Sequence, residues 1–342
     1  MSASPLGRLL ARLGPEVDDV DKETFLLFAH DRPEAQNLGF LDPHAAVLEL
    51  TVAGRDLTIH QSPGVLNSNR PGGTTGAVLW KVTPAVAEWL ARSDNVFFAG
   101  AGADSSAASS SVLGPDSAVL ELGCGISGVI GLALAGKATK ASPPGPPPKK
   151  RPKGKMMSAT APAGPLYTNT VGRYVLTDQP YVAKFLQRNL DENGPSGAAG
   201  AGSSGRLSFC PLDWEQDAVR PGDHRLLGGG DRTSFDAVLA CDCIYNEALV
   251  APLVQTCVDV CRLRAAEAEE GEKSSSSSMD KAVPALCIVG QQLRDPDVLS
   301  AWLTAFAASF RVWRVPEELL TPSLWLEAGF VVHVGILKEA EI

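Results

Sequence analysis

The 342-residue chain reads as an α/β protein: a doubly wound, mostly parallel sheet with an antiparallel C-terminal strand and an N-terminal β-hairpin extension. Three observations predict this. Short apolar runs alternate with stretches of helical period from Ala118 onward. One such run, Ala118-Val119-Leu120-Glu121-Leu122, passes directly into Gly123-Cys124-Gly125-Ile126-Ser127-Gly128 and then a further apolar segment, a strand–turn–helix order. The last two strand-like runs, Arg311–Val315 and Phe330–Leu337, have no long helix between them, so they are expected to pair antiparallel at one sheet edge.

Composition narrows the class of protein. A hydrophobic content of 44% supports a real core, and a net charge of −9 disfavours nucleic-acid binding over the whole surface while suiting a basic partner. No N-terminal charged-then-apolar pattern or run of membrane-spanning length appears, so no membrane partner is expected. Seven cysteines without a compact framework suit a reducing compartment. The expected location is therefore cytoplasmic, with a nuclear address in Lys149–Lys155 as a second reading of that basic segment. The histidines are scattered. Cys241, Cys243, Cys257 and Cys261 read as buried small hydrophobes, so no metal is expected.

In chain order, Leu6, Leu9, Leu10 and Leu13 share a helical face that Gly14-Pro15 ends, and Glu23–His30 is expected to form a second short helix. Val47–Thr51 and Leu57–Gln61 alternate around Ala53-Gly54-Arg55-Asp56, a hairpin. Thr83 is expected to cap a helix with Pro84 at its first position. Strands are then expected at Arg173–Leu176, Leu207–Cys210, Phe235–Ala240 and Ala285–Val289. Helices are expected after Pro180, along Val250–Cys261 and around Leu299–Phe310, with Asn193-Gly194 stopping the first of them. Residues 1–76 are expected as an extension and 77–342 as the main domain. The latter carries low-complexity insertions near 136–172, 194–205 and 265–281.

In open α/β sheets a ligand lies at the carboxyl ends of the central strands. Four such ends carry distinctive residues: Glu121 with the glycine loop, Asp178, Leu212-Asp213-Trp214, and Cys241-Asp242-Cys243-Ile244-Tyr245. Asp178 suits the two hydroxyls of a ribose, and the Trp214 indole suits an adenine face. Singly, each has a structural reading, with Glu121 as a helix cap and Trp214 and Tyr245 as packing. Their recurrence at successive strand ends favours a site.

Taken together and in this order, TTGAVLW, ELGCGISG, TDQPYV, LDW and CDCIYN resemble the seven-strand protein-lysine methyltransferases of the methyltransferase-like-21 group. Trp80-Lys81-Val82-Thr83-Pro84 and CDCIYN bring the chain nearest to the fungal ribosomal lysine N-methyltransferase 5 branch. The resemblance implies a seven-stranded, Rossmann-like methyltransferase sheet and S-adenosyl-L-methionine as methyl donor. It implies cofactor contacts from Trp80, Glu121, Gly123, Cys124, Gly125, Asp178, Trp214 and Cys241. Asp242 and Tyr245, matching a D-x-x-Y pattern, would orient the incoming lysine. The implied partner is a lysine-bearing protein, a large-subunit ribosomal protein by family likeness, met by a monomer without direct nucleic-acid contact.

Methyl transfer from a sulfonium needs a neutral amine in line with the donor, so positioning is the main contribution. Free lysine, with a pKa near ~10.4, arrives protonated. A carboxylate beside it favours the cation, so Asp242 is read as an orienting group, not a base. The proton is expected to leave as water is expelled beside the sulfonium. Three other readings compete. An NAD-dependent oxidoreductase shares the glycine loop but leaves Asp-Cys-Ile-Tyr unexplained. A methyltransferase-fold scaffold without activity has no physical need for these acids and aromatics. A non-lysine acceptor stays open, although no Asn/Asp-Pro-Pro-Tyr motif for base methylation follows the fourth strand.

Overall fold

The computed structural model describes residues 4–30, 39–70, 72–98, 111–135, 166–194, 206–227, 232–274 and 283–338. Most of the three expected insertions, including Lys149–Lys155, lies outside the described residues. Two N-terminal helices, α1 (Pro5–Leu13) and α2 (Val20–Phe28), precede a hairpin of β1 (Val47–Val52) and β2 (Arg55–His60). A single turn α3 (Pro63–Leu66) and the helix α4 (Val82–Ala91) lead to β3 (Ala118–Leu122) and α5 (Val129–Ala135). The alternation continues through β4 (Arg173–Asp178), α6 (Ala183–Asn193), β5 (Leu207–Pro211), the short α7 (His224–Leu227) and β6 (Ala237–Cys241). It closes with α8 (Val250–Ser274), β7 (Leu286–Gln292), α9 (Pro296–Ser309), β8 (Phe310–Arg314) and β9 (Phe330–Leu337).

The main sheet has seven strands in the order β5-β4-β3-β6-β7-β9-β8. The first five in that order run parallel, β9 is antiparallel to β7, and β8 pairs antiparallel with β9 at the edge. This is the doubly wound sheet expected. β3 lies between β4 and β6, and every one of its residues is buried. Period two sorts the strand residues by face. Val119, Ala237 and Leu239 join the core cluster that includes α4 and the hairpin, whereas Leu120, Val238 and Ala240 join the cluster under α8 and α9. Strand order reverses between β3 and β6, which sets the ligand crevice there.

Local differences from the sequence reading have physical causes. The hairpin turn is Ala53-Gly54 alone, both at positive φ (50° and 71°), so Arg55 and Asp56 are already strand. Helix α4 starts at Val82, and Thr83 is buried inside its first turn with its hydroxyl 3.9 Å from Cys241 Sγ. Helix α8 runs past its apolar stripe to Ser274, into the segment expected as an insertion. Its polar portion is held because Glu267 accepts from Thr233, Ser234 and Arg264, and Arg264 also pairs with Asp236.

The hairpin is fastened to the sheet by two asparagines one turn apart on α6. Asn193 accepts from Thr58 N and donates to Thr58 O, both at 2.8 Å. Asn189, fully buried, accepts from His60 N (2.8 Å) and donates to His60 O (3.0 Å) and to Ile126 O of the glycine loop (2.7 Å). Side-chain amides here substitute for a missing neighbouring strand along β2. Replacing Asn189 with Leu, close in volume, strands one N–H and two carbonyls. The expected loss is about 2–3 kcal/mol in urea unfolding, set by desolvated groups left without partners; a loss within a few tenths would show that the fastening carries no weight.

Candidate active site

The carboxyl ends of β3, β4 and β6, with the segment after β5, open on a cleft of about 330 Å³. The glycine loop forms its floor. Gly123 has φ +65°, and a Cβ there would lie 2.7 Å from Cys243 Sγ and 3.2 Å from the Trp214 ring. Gly125 has φ +60°, and a Cβ there would meet Gly76 O at 3.1 Å. Any side chain would fill the space and strain the backbone. The Cys124 and Ile126 N–H groups are bonded to Thr177 O and Gly76 O, so β4 and the loop before α4 fix the floor from both sides.

A buried carboxyl, Glu121, and a half-buried one, Asp178, stand on this floor. Glu121, facing away from bulk solvent, accepts from the Tyr174 hydroxyl at 2.7 Å. Burial pushes its carboxyl up to about 7, against the opposing effect of that hydrogen bond and with help from the nearby Asp178 charge. Asp178 accepts from Gly125 N (2.8 Å) and Gln179 N (2.7 Å). Burial raises it to about 6 despite those two donors. Trp214 closes the floor against Gly123, and its indole N–H is buried without a hydrogen-bond partner among the described residues.

The opposite wall is the turn after β6. Asp242 has φ +60°, an uncommon value for a residue with a side chain, and its N–H bonds to Gly290 O at 2.7 Å. Its side chain is wholly buried. Arg294 grips both carboxylate oxygens, Nη1 on Oδ1 at 2.8 Å and Nη2 on Oδ2, and Gln292 N adds a bond to Oδ1 at 3.2 Å. Buried Gln291 clamps Ile244 by accepting from its N–H (3.2 Å) and donating to its carbonyl (2.6 Å). The turn therefore hangs on the end of β7 and on Arg294 just beyond it. Tyr245, 39% exposed, reaches Thr75 Oγ1 at 3.4 Å and stacks with Trp80 at a centroid distance of 6.3 Å. Trp80 also packs on Phe40 (4.4 Å) and lies under the Arg294 guanidinium (4.9 Å).

Residues 166–268 match the family model described as lysine methyltransferase. That stretch, about 30% of the chain, is similar to lysine methyltransferases. Over 303 residues it is 28% identical to a Schizosaccharomyces pombe protein named diaminohydroxyphosphoribosylamino-pyrimidine deaminase, covering 88% of this chain. It spans about half of that relative's length (54%). It is 24% identical over 336 residues to ribosomal lysine N-methyltransferase 5 of Lachancea thermotolerans, covering 84% of this chain and 86% of the relative. The protein of that name in Zygosaccharomyces rouxii is 27% identical over 267 residues, covering 72% of this chain and 69% of the relative.

Every site residue singled out from the sequence lines the one cleft: Trp80 before α4, Glu121 in β3, Gly123–Gly125 after it, Asp178, Trp214, Cys241, Asp242 and Tyr245. Burial raises the Cys124 and Cys241 thiols well above their ordinary value, so both stay protonated. Trp80, expected among the cofactor contacts, sits in one aromatic group with Tyr245. The sequence reading missed Gln291, Gln292 and Arg294; two amides closing an otherwise apolar strand were the available signal. It missed Tyr181 as well, although that residue falls within the TDQPYV stretch; its phenol is capped by Arg70 at 4.2 Å. Among the described residues no group of three metal ligands occurs and no helix is long and apolar enough to cross a membrane.

The raised carboxyl of Glu121 has a stability consequence with a definite sign. Its native value, about 7, exceeds the ordinary 4.5, so the native state keeps a proton that the unfolded chain has lost. Stability is therefore expected to fall as pH rises from 4.5 through about 7, with Asp178 adding a parallel fall from 3.8 through about 6. Glu121→Gln, which still accepts from Tyr174, is expected to remove the former part, on the order of a few kcal/mol. Urea midpoints measured across that interval check it; an unchanged slope in Glu121→Gln would contradict the assignment.

Proposed function

We propose that the chain transfers a methyl group from S-adenosyl-L-methionine to a lysine side chain of a protein, with a large-subunit ribosomal protein as the acceptor class. The observation that carries this reading is the convergence of two unlike walls on one cleft. One is a glycine floor with buried carboxyls suited to a nucleoside; the other is an aromatic and acidic wall suited to an alkylamine. The names of two relatives supply the words ribosomal and lysine, and the large subunit is inferred from the family resemblance alone.

The residues fit the donor. A floor that tolerates no Cβ at Gly123 or Gly125, because Cys243, Trp214 and Gly76 already pack there, is held fixed beneath the cleft, and the Trp214 N–H, without a partner among the described residues, is a buried donor awaiting an acceptor. In this reading Gly123, Cys124 and Gly125 hold the methionine portion, Asp178 takes the ribose hydroxyls, Trp214 borders the adenine, and Glu121 and Cys241 back the site. Bound there, the cofactor supplies a methyl group already activated on a sulfonium. Tyr245 and Trp80 flank the lysine stem, and Asp242 orients the amine. What the protein contributes is alignment and exclusion of water from the cleft.

The deaminase name of one relative does not fit this chain. Zinc deaminases of nucleobases carry His-x-Glu and Pro-Cys-x-x-Cys, and neither pattern occurs in the sequence. The match also leaves nearly half of that relative uncovered.

Incubating the protein with labelled S-adenosylmethionine and extract from cells lacking it, then mapping the label, is expected to place it on a lysine of a large-subunit ribosomal protein. A label on no lysine would overturn methyl transfer and leave the scaffold reading. A second expectation concerns the ribose contact. An ionised Asp178 accepts hydroxyl protons with both oxygens, so affinity for S-adenosylhomocysteine should tighten as pH rises through about 6. Asp178→Ala should weaken it at least ~10-fold and abolish that dependence, by calorimetry.

A further inference from the structure

The cleft poses an electrostatic problem. Among the described residues that line it are the carboxyls of Glu121, Asp178, Asp213, Glu215 and Asp242, and no Lys or Arg. The remaining titratable groups facing the Asp242 turn are the Cys241 and Cys243 thiols and the Tyr245 phenol, all raised by burial and so neutral. Such a wall should hold an incoming lysine as its ammonium, which has no lone pair to attack with.

Arg294 lies just behind that wall. Its guanidinium is gripped on several sides: by both Asp242 oxygens, by Gln292 Oε1 at 2.9 Å, and by the Trp80 face. Gly39 presses on it as well, because a Cβ there would come within 2.4 Å of Nη2. The side chain is 17% exposed, so the pair is poorly screened by water. A carboxylate has about four lone-pair sites. Arg294 and Gln292 N occupy three on Asp242, which leaves one on Oδ2 among the described residues.

We propose that Arg294 is a positioning residue that cancels the Asp242 charge, so that the acceptor pocket takes the lysine side chain as a neutral amine. The inference rests on the methyl-transfer reading and deepens it. The free lone pair of Asp242 accepts one amine N–H without a net negative charge beside it. Arginine suits this and lysine does not, because only the planar fork covers both oxygens at once.

Two readouts test this, one of them independent of activity. Binding of n-butylammonium and of n-butanol is compared by saturation-transfer NMR. Wild type should show little preference, Arg294→Ala should favour the cation ~10-fold more than wild type does, and Arg294→Met with Asp242→Asn should return to the wild-type ratio. In methyl transfer to the mapped acceptor, the acid limb of the pH–rate profile should move up by ~1 unit or more in Arg294→Ala. Arg294→Lys should keep the wild-type limb with a lower kcat. Should Arg294→Ala not fold, Arg294→Gln carries the same expectations. A rate loss equal at every pH with an unmoved limb, an unchanged probe preference, or binding of neither probe overturns the proposal. If the preference shifts as stated but no lysine is methylated, the methyl-transfer reading fails and the charge assignment stands. If transfer occurs and the preference does not shift, only the Arg294 assignment falls.

Discussion

Withdrawing three carboxyl groups from water at adjoining strand ends, two of them buried and Asp178 half-buried, is the constraint on which this site depends. Ionised and unpaired, each would cost several kcal/mol in a low-dielectric setting. The protein handles each differently. Glu121 is given one phenol donor and pushed to about 7, so near neutrality it is partly uncharged. Asp178 is given two backbone donors, which hold it lower, at about 6. Asp242 is given a full countercharge in Arg294. The same three strands thus present one carboxyl raised by burial, one held lower by backbone donors and one neutralised pair, all within a single cleft.

This arrangement holds only if the backbone around it is stiff. The glycine loop is bonded to β4 through Thr177 and Asp178, to the loop before α4 through Gly76, and to the hairpin through Asn189. The N-terminal hairpin is therefore linked to the donor wall by one side chain with no partner to spare. The Asp242 wall is fixed independently by Gln291 and Gln292 at the end of β7. Two walls with separate supports can be varied separately, and on the proposed reading one meets the donor and the other the amine.

Much of the fold was legible because its parallel strands are buried on both faces and so read as continuous apolar runs. Phe330–Leu337 could be delimited from the sequence alone. Boundaries failed where a local rule was overruled. Thr83 is a good cap by type, but its side chain is buried toward β6 and helix α4 begins before it. The polar end of α8 has no apolar period to announce it, and its stability comes from contacts to residues 233–236. Apart from Trp80, which precedes α4, the site residues singled out were found because each lies at or just beyond the end of its own strand. Arg294 was not, because its importance comes from β6 and β7 being neighbours in the sheet, a relation between segments some fifty residues apart.

The way Asp242 is neutralised also matters for what it can do to an amine. A protonated carboxyl, as in Glu121, is a hydrogen-bond donor and would seek out the nitrogen lone pair, blocking the electrons that must attack. A carboxylate held in an ion pair accepts only. It can take an N–H and turn the lone pair away from itself, toward the donor wall. An exposed carboxylate could do the same but would attract the ammonium instead. Of the three ways this cleft treats a buried acid, pairing with a guanidinium is the one that orients an amine without either quenching or protonating it. That explains why the pair stands on the aromatic wall beside Tyr245 and Trp80, and not on the glycine floor.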